Sequence, residues 1–514
     1  MGPAQLNQAP AEKTRAMRLG RDALAGITVA LVLIPQALAY AGVAGMPPIG
    51  GLYAAALPPL AAALFASSPY LQTGPVALTS LLTFGALANR APVGSDAYVQ
   101  LGILLALVVG VVRLLIGVLR GGLIAHLMSE PMLIGFMPAG AVLIAASQLP
   151  AALGVEADQS DVIAAAADAV VSPDEWQLAA VALAAGSLAV VLLGRRLHPL
   201  FPGVLVALIA GLALSSLASY GGAIVGDIPA GLPKVTLDLP YAELPGLLVP
   251  GAVIAIVGFA EAASISRTYA IRERRPWNAD REFFSQGIAN LASGVSGGYP
   301  VGGSFSRSAL NHDAGALSRA SGAITGIAVL AFLPAAAVLE PLPKAVLSAI
   351  VISAVLGLMR FGRIVSLWRV SRPQFAVAAV TFGLTLLLAP HVEQAVIAGV
   401  VLALGVHLVR ELTLRIEVTT NGDMMIIRPS GVLWFATAQD LEERLSGLLE
   451  QHPEVTRLRL ALDGLGRIDL TGVMALHRLL DDARAGGIEV EVTGAPPQAR
   501  GLLDRYQRGK DALS

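Results

Sequence analysis

Long apolar runs, separated by short polar segments, fill the chain from about residue 23 to about residue 412. A helix needs about 20 mainly apolar residues to cross a bilayer, and fewer where it is interrupted inside the protein. Fourteen runs meet this requirement, and they lie near residues 23–43, 49–66, 75–88, 98–118, 131–148, 176–194, 201–218, 247–267, 283–297, 306–317, 321–338, 343–358, 373–389 and 393–411. The pattern predicts an α-helical polytopic membrane protein, with spans 1–7 over about 23–218 and spans 8–14 over about 247–412.

The pattern changes at about residue 416, where ordinary soluble periodicity begins. Strand-like segments MMIIRP, GVLWFA, RLRLALD and IEVEVT alternate with helix-like segments 437–451, 471–484 and 496–507. Strands alternating with helices are typical of a compact α/β unit. We therefore predict a small soluble α/β domain over 416–514.

Basic residues concentrate in alternate connections between the spans, and cytoplasmic loops of membrane proteins carry such an excess. The polar segment 1–22 holds Lys13, Arg15, Arg18 and Arg21. The later basic positions on the same side are Arg120, Arg195, Arg196, Arg267, Arg272, Arg274, Arg275, Arg281, Arg360, Arg363, Arg369, Arg372, Arg410 and Arg415. We predict a multi-pass protein of the cell (inner) membrane with both termini cytoplasmic.

The composition narrows the function. The chain is 55% hydrophobic and 14% charged, whereas soluble domains are about 25% charged. It has no Cys, which excludes disulfides, thiolate metal sites and cysteine nucleophiles. No basic tract suggests nucleic acid, and the sequence predicts neither a cofactor nor a metal site.

Fourteen spans divide into two halves of seven, and an odd number per half inverts the second copy, as in many transporters. An offset of 225 residues sets Gln36 against Glu261. The third span begins at Thr73-Gly74-Pro75, and the tenth follows the glycine-rich segment 297–303. Both spans are too short to cross the bilayer, so we predict half-helices whose N-termini meet near its middle.

A helix N-terminus attracts anions through its dipole and its unpaired N–H groups. Arg307, at the start of the tenth span, adds a full charge and bidentate donors. This predicts a site for a small anion; the alternative is that Arg307 only pairs with Glu261. Glu261 lies in the middle of an apolar span, where ionisable groups are costly and usually functional.

Glu261 is therefore the predicted site of a co-transported proton, or of sodium; the alternative is a structural carboxyl bonded to Ser264, Ser266 or a neighbouring helix. Gln36 and Tyr40 follow Pro35, which we expect to loosen the first span. They lie one helical turn apart and either line a polar cavity or pack against other helices. Glu282, beside Arg281, either complements a helix dipole and pairs locally or takes part in gating.

Four motifs in order resemble the SulP family of sulfate permeases: LIPQALAYAGVAGMPPIGGLY (33–53), SSPYLQTGPVALTSLL (67–82), REFFSQGIANLASGVSGGYPVGGSFSRSALN (281–311) and PLPKAVLSAIV (341–351). The resemblance implies the uracil-permease-like fold of seven-plus-seven inverted repeats, with a core domain that moves against a gate domain, and a homodimer. It also implies an anion site between the first, third, eighth and tenth spans, made of Gln36, Tyr40, Val76, Ala77, Glu261, Phe305, Ser306 and Arg307.

Val76 stands where members of this family often have an aromatic residue, which implies a roomier pocket. A roomier pocket favours an organic dicarboxylate such as fumarate slightly over sulfate or bicarbonate. Glu261 matches the acid of members thought to use cation coupling. The resemblance thus favours symport over simple exchange. With Glu261 as the predicted proton site, we predict proton-coupled symport by alternating access, with sodium-coupled symport or anion exchange as alternatives.

The tail resembles the STAS domain that follows the membrane part in this family. Bacterial anti-sigma-factor antagonists carry Asp-Ser-Ser-Gly at the equivalent turn, with the first Ser phosphorylated, whereas this chain has Asp469-Leu470-Thr471-Gly472. Leu470 cannot accept phosphate, and Thr471 is a weaker candidate. We expect a trafficking or dimer-stabilising module instead.

Three other classes fit less well. Gly294-Val295-Ser296-Gly297-Gly298 matches the hydrolase motif G-x-S-x-G, but it closes an apolar helix rather than a strand, so we predict that the chain is not an enzyme. A receptor would not need two broken helices and a buried acid. A nucleobase transporter of the same fold would favour paired carboxylates over Arg307.

Overall fold

The structure is a computed structural model that describes residues 8–126, 129–156, 161–198, 201–217, 220–229, 231–233, 235 and 238–511. The predicted N-terminal segment 1–22 therefore lies partly outside the described residues. The chain divides into two compact units, one ending at Val401 and the other beginning at Leu402. The exact bounds predicted for the N-terminal, membrane and tail regions stay predictions.

The first unit is almost entirely helical. Its helices are α1 (Gln8–Val43), α2 (Pro48–Phe65), α3 (Ala77–Leu87), α4 (Asp96–Val118), α5 (Glu130–Leu153), α6 (Val162–Val171), α7 (Leu178–Leu197), α8 (Gly203–Leu217), α9 (Leu244–Arg272), α10 (Ala279–Val295), α11 (Phe305–Asp313), α12 (Ala320–Phe332), α13 (Lys344–Val355), α14 (Phe361–Val370), α15 (Arg372–Leu387) and α16 (Val392–Glu411). Helix α16 continues across the boundary between the units. Among the described residues, nine helical segments are long and apolar enough to cross a membrane.

Each of the fourteen predicted spans contains a helix, and the predicted fold class is confirmed. Two further helices, α6 and α14, were not predicted because their ten residues are too short to cross a bilayer. Helix α6 begins where the Asp161 carboxylate accepts hydrogen bonds from Ile163 N and Ala164 N. Each extra helix lies between the fifth and sixth spans of its half, so both halves share this insertion.

The packing of helices is also repeated between the two halves. Helix α2 packs on α12 as α10 packs on α4, α1 packs on α11 as α9 packs on α3, and α5 packs on α15 as α13 packs on α7. These contacts define two groups of helices. The core group contains α1–α4 and α9–α12, and the gate group contains α5, α7, α8, α13 and α15.

Two prolines behave differently from what the sequence indicated. Pro35 was expected to loosen the first span, but α1 runs unbroken from Gln8 to Val43. Pro75 was placed at the first position of the third span, but α3 begins only at Ala77, after an extended Val76. Because Pro75 lies outside the helix, its carbonyl oxygen is available to another partner.

The second unit is an α/β domain. Its elements are β3 (Arg415–Asn421), β4 (Met424–Leu433), α17 (Phe435–Gln451), β5 (Arg457–Ala461), β6 (Leu465–Ile468), α18 (Leu470–Ala485), β7 (Glu489–Thr493) and α19 (Pro497–Asp511). Strand β4 pairs antiparallel with β3 and parallel with β5 and β6, and β5 pairs parallel with β7. The core is aliphatic, with Met425, Ile427 and Leu460 fully buried.

The strand boundaries in this unit differ in part from the sequence pattern. MMIIRP and the first half of GVLWFA form the single strand β4, because Gly431 continues the strand through an irregularity in its pairing. Strands β3 and β6 were not predicted. The side chains of β3 are almost all exposed, and β6 has only four residues, so neither shows a clear apolar alternation.

Candidate functional site

The two half-helices begin side by side. The two-residue strands β1 (Thr73–Gly74) and β2 (Gly302–Gly303) pair antiparallel, with Thr73 opposite Gly303 and Gly74 opposite Gly302. Helix α3 starts three residues after β1, and α11 starts two residues after β2. Their 11 and 9 residues span only about 17 and 14 Å at 1.5 Å per residue, about half of a bilayer core. Both N-termini therefore meet at one place inside the bundle.

Arg307 lies at this meeting point and is 1% exposed. Its Nη1 donates to Gln36 Oε1 at 3.1 Å, and its Nη2 donates to the Pro75 carbonyl oxygen at 2.8 Å. Its Nε is buried without a hydrogen-bond partner in the described part of the chain. Arg307 thus joins α1, the segment before α3 and α11, and it retains one donor.

Glu261 faces the same region from α9. The residue is partly buried, and its Oε2 is buried without a hydrogen-bond partner among the described residues. No ion pair within this part of the structure joins it to Arg307, although the two charges interact through space. Ser266 Oγ likewise has no partner, so the alternative bond between these two side chains is not formed here.

The other predicted site residues surround Arg307. Gln36 and Tyr40 are buried in α1, and Tyr40 lies near both Arg307 and Glu261. Val76 and Ala77 are buried at the start of α3. Phe305 and Ser306, in the first turn of α11, are exposed, Phe305 to 39%.

A polar face of α10 supports both half-helices, and sequence reasoning did not predict it. Gln286 Nε2 donates to Thr73 Oγ1 at 2.7 Å. Asn290 accepts from Val301 N at 2.9 Å and donates to the Val301 carbonyl oxygen at 3.1 Å. Ser293 Oγ donates to the Tyr299 carbonyl oxygen at 2.6 Å. The spacing of these three polar residues along α10 was the available signal, but their partners are remote in sequence.

Glu282 begins the same face of α10. Its Oε2 accepts from Ser67 N at 3.2 Å, from Ser68 N at 2.8 Å and from Trp277 Nε1 at 3.3 Å. The carboxylate therefore holds the segment that leads into β1. Arg281 donates instead to the Phe65 carbonyl oxygen. A role of Glu282 in gating stays a prediction.

A cavity of about 860 Å³ lies between the core helices α1 and α3 and the gate helices α5 and α13. Its lining includes Leu38, Leu81, Gln148 and Ser348. Leu38 lies in α1 between Gln36 and Tyr40, which are not among the lining residues. The cavity borders the C-terminal half of α1, so it lies at the end of the bundle away from the N-terminus of α1.

The fold and the site define a class: a polytopic membrane protein of inverted repeats, with half-helices that converge on a buried arginine. Residues 19–381 match the model of the sulfate permease family, and residues 415–510 match that of the STAS domain. The chain therefore belongs to the sulfate permease family and ends in a STAS domain.

Curated relatives extend over most of this chain. Sulfate transporter 4.1, chloroplastic, of Arabidopsis thaliana is 31% identical, over 92% of this chain and 74% of its own length. A probable sulfate transporter of Mycobacterium tuberculosis is 32% identical, over 91% of this chain and 88% of its own. These relatives are named as transporters, which agrees with a function other than catalysis.

Solved structures share the fold. The murine Solute Carrier 26 family member A9 anion transporter, in its inward-facing state, superposes with a TM-score of 0.86 at 19% identity, over 94% of this chain and 87% of that one. The transmembrane domain of the cyanobacterial bicarbonate transporter BicA gives a TM-score of 0.66 at 24% identity, over 73% of this chain and 97% of that one.

Proposed function

We propose that this chain is a secondary active transporter that carries a small anion together with a proton by alternating access. The observation that carries the proposal is Arg307, buried where two half-helix N-termini meet and close enough to interact with Glu261. Two helix ends contribute about 0.3–2 kcal/mol each, whereas stripping water from an ion costs several kcal/mol. The guanidinium supplies the larger share of the compensation.

The proposed substrate is a small divalent anion, which is either sulfate or a dicarboxylate such as fumarate. Bicarbonate is the monovalent alternative. Val76 leaves more room beside Arg307 than an aromatic side chain would, which favours the dicarboxylate. The names of the two relatives favour sulfate. The planar carboxylate groups of a dicarboxylate and the tetrahedral sulfate group both present oxygens that a guanidinium and helix amides bind equally well.

Coupling follows from the two opposite charges at the site. While Glu261 is ionised, its negative charge offsets the field of Arg307 and repels an anion. Once the carboxyl is protonated, the positive charge of Arg307 acts on the substrate alone. Proton and anion therefore favour each other's binding, which is the requirement for symport.

Movement of the core group against the gate group would expose the site alternately to each side. The cavity between α1, α3, α5 and α13 supports an opening at one end of the bundle. From the distribution of Lys and Arg we propose the cell (inner) membrane, with both termini cytoplasmic. A homodimer and a trafficking or dimer-stabilising role of the tail belong to the same proposal.

Uptake of labelled fumarate, sulfate and bicarbonate into proteoliposomes tests the function, with pH and sodium gradients imposed separately. We expect an inward proton gradient to accelerate uptake of a divalent anion, and a sodium gradient to have no effect. Acceleration by sodium alone would assign sodium symport. Uptake that depends only on an anion inside would assign exchange, and no flux of any anion would refute transport.

Glu261→Gln tests the coupling residue. A permanently neutral side chain should leave anion binding intact but remove the response to a pH gradient, so that gradient-driven uptake falls to the level of simple equilibration. Glu243→Gln is the matched control, because Glu243 is half-exposed and is not a site residue. Its carboxylate pairs with Arg90 at an N–O distance of 3.7 Å. A Glu261→Gln protein that still responds fully to the gradient would show that the proton binds elsewhere.

A further inference from the structure

A second arginine lies deep in the core group, and the sequence-based prediction of the site did not include it. Arg113 belongs to α4 and is 0% exposed. Its side chain crosses from α4 to α9 and to the segment that precedes β2. It is thus the second buried guanidinium beside the broken helices.

All three hydrogen bonds of Arg113 go to main-chain carbonyl oxygens. Nε donates to Ala255 at 3.0 Å, Nη1 to Val301 at 2.8 Å and Nη2 to Ile254 at 3.2 Å. Within the described residues no carboxylate pairs with it. Carbonyl oxygens satisfy the donors but carry no net charge, so a full positive charge remains uncompensated in the interior.

The chain makes room for this guanidinium. A Cβ on Gly258 would lie 2.6 Å from Arg113 Nη2, so any other residue at this position of α9 would displace the arginine. Gly258 precedes Glu261 by three residues and shares its helix face. The residue of α9 that contacts Arg113 therefore lies one helical turn from the proposed proton site.

Arg113 also bonds the chain next to the anion site. Its partner Val301 leads into β2, and a Cβ on the next residue, Gly302, would be 3.2 Å from Val76 Cγ2. Arg307 bonds the segment that follows β1, and Arg113 bonds the segment that precedes β2. A buried charge costs several kcal/mol unless an opposite charge compensates it. The transported anion is the counter-charge that this location suggests.

We propose that Arg113 is a positioning residue of the anion site that supplies a second fixed positive charge and thereby favours divalent over monovalent anions. The inference rests on the proposed function. With Glu261 ionised, the three side chains sum to one positive charge, which a monovalent anion balances. With Glu261 protonated they sum to two, which a divalent anion balances.

Selectivity, rather than rate alone, tests the proposal. Reconstituted full-length protein would be assayed for inhibition of labelled-anion uptake by two divalent competitors, sulfate and fumarate, and two monovalent ones, bicarbonate and formate. In Arg113→Gln, which keeps a donor for Val301 but loses the charge, we expect the divalent-to-monovalent affinity ratio to fall about tenfold. That fall corresponds to about 1.4 kcal/mol.

Arg113→Lys keeps the charge but not the three-way hydrogen bonding, so it should retain most of the wild-type ratio even if the protein is less stable. An unchanged affinity ratio in a folded Arg113→Gln protein would show that Arg113 has only a structural role. A fall of the ratio in Arg113→Lys, which keeps the charge, would show the same. If neither variant folds, the wild-type ratio decides: a wild type with no preference for sulfate and fumarate over bicarbonate and formate would refute the proposal. If the wild type carries no anion, the proposed function itself fails.

Discussion

At the scale of single residues, Arg307 combines two roles that usually conflict. Its two hydrogen bonds to Gln36 and Pro75 fix the guanidinium, yet both acceptors are neutral and leave its charge available. A carboxylate partner would have stabilised the folded state at the expense of anion binding. The bonding of Arg307 therefore suits a binding site better than a structural ion pair.

Arg307→Ala should abolish anion uptake. The change also leaves Gln36 Oε1 and the Pro75 carbonyl oxygen without their donors, which costs about 1–3 kcal/mol for each buried group. We expect protein amount in the membrane to stay near normal and the melting temperature in detergent to fall modestly. Arg90→Ala is the control, because Arg90 also donates to a main-chain carbonyl, that of Gly246, but is partly exposed. Unchanged uptake by Arg307→Ala would contradict the site.

The sequence was informative about residues whose charge is rare in its surroundings. Glu261 stands out in an apolar span and Arg307 at the start of a short half-helix, and the structure places them close enough to interact. Arg113 is also a charged residue inside an apolar span. It was missed because it lies near the end of that span, where arginines usually only flank the membrane. The spacing of Gln286 and Asn290 indicates a polar helix face, but their partners Thr73 and Val301 are recognised only when the chain is folded.

At the scale of elements, the two short helices were predictable because Pro and Gly leave few residues that can stay helical. The antiparallel pairing of β1 with β2 was not, since two-residue strands have no periodicity to detect. Gly303 matters to this pairing. A Cβ there would lie 3.1 Å from the Cα of Ala262, next to Glu261 in α9.

Gly303→Ala should push β2 away from α9 and shift the start of α11 relative to Glu261. Overpacking of this kind costs about 1–3 kcal/mol of stability. We expect the affinity for the anion to fall about tenfold, or about 1.4 kcal/mol, while the protein still folds. Gly186→Ala in α7 serves as the control, because among the described residues no atom outside its own stretch of helix lies within 4 Å of its Cβ position. Equal uptake by both variants would show that the contact with α9 is not needed.

At the scale of the whole molecule, the number of spans and the change to a soluble tail were readable from the apolar pattern. The extra helices α6 and α14 were not, because a short amphipathic helix on a connection resembles a loop. All predicted site residues lie between Gln36 and Arg307, within the first unit. The tail contributes none of them.

A chain truncated after Glu411, at the end of α16, should therefore keep its uptake per molecule. We expect less protein in the membrane, because the proposed role of the tail is trafficking or dimer stabilisation. Proteoliposome flux normalised to reconstituted protein separates the two quantities. Loss of flux at a normal amount of protein would instead make the STAS domain part of the transport cycle.

The antiparallel pairing of β1 with β2 limits how this protein can change its substrate specificity. Thr73 pairs with Gly303 and Gly74 with Gly302, and helices start within three residues of both strands. One inserted residue would turn a half-helix by about 100° about its axis, given 3.6 residues per turn, and aim its side chains away from the anion. New substrates must therefore be acquired by exchanging side chains at fixed positions, never by altering the length of either arm.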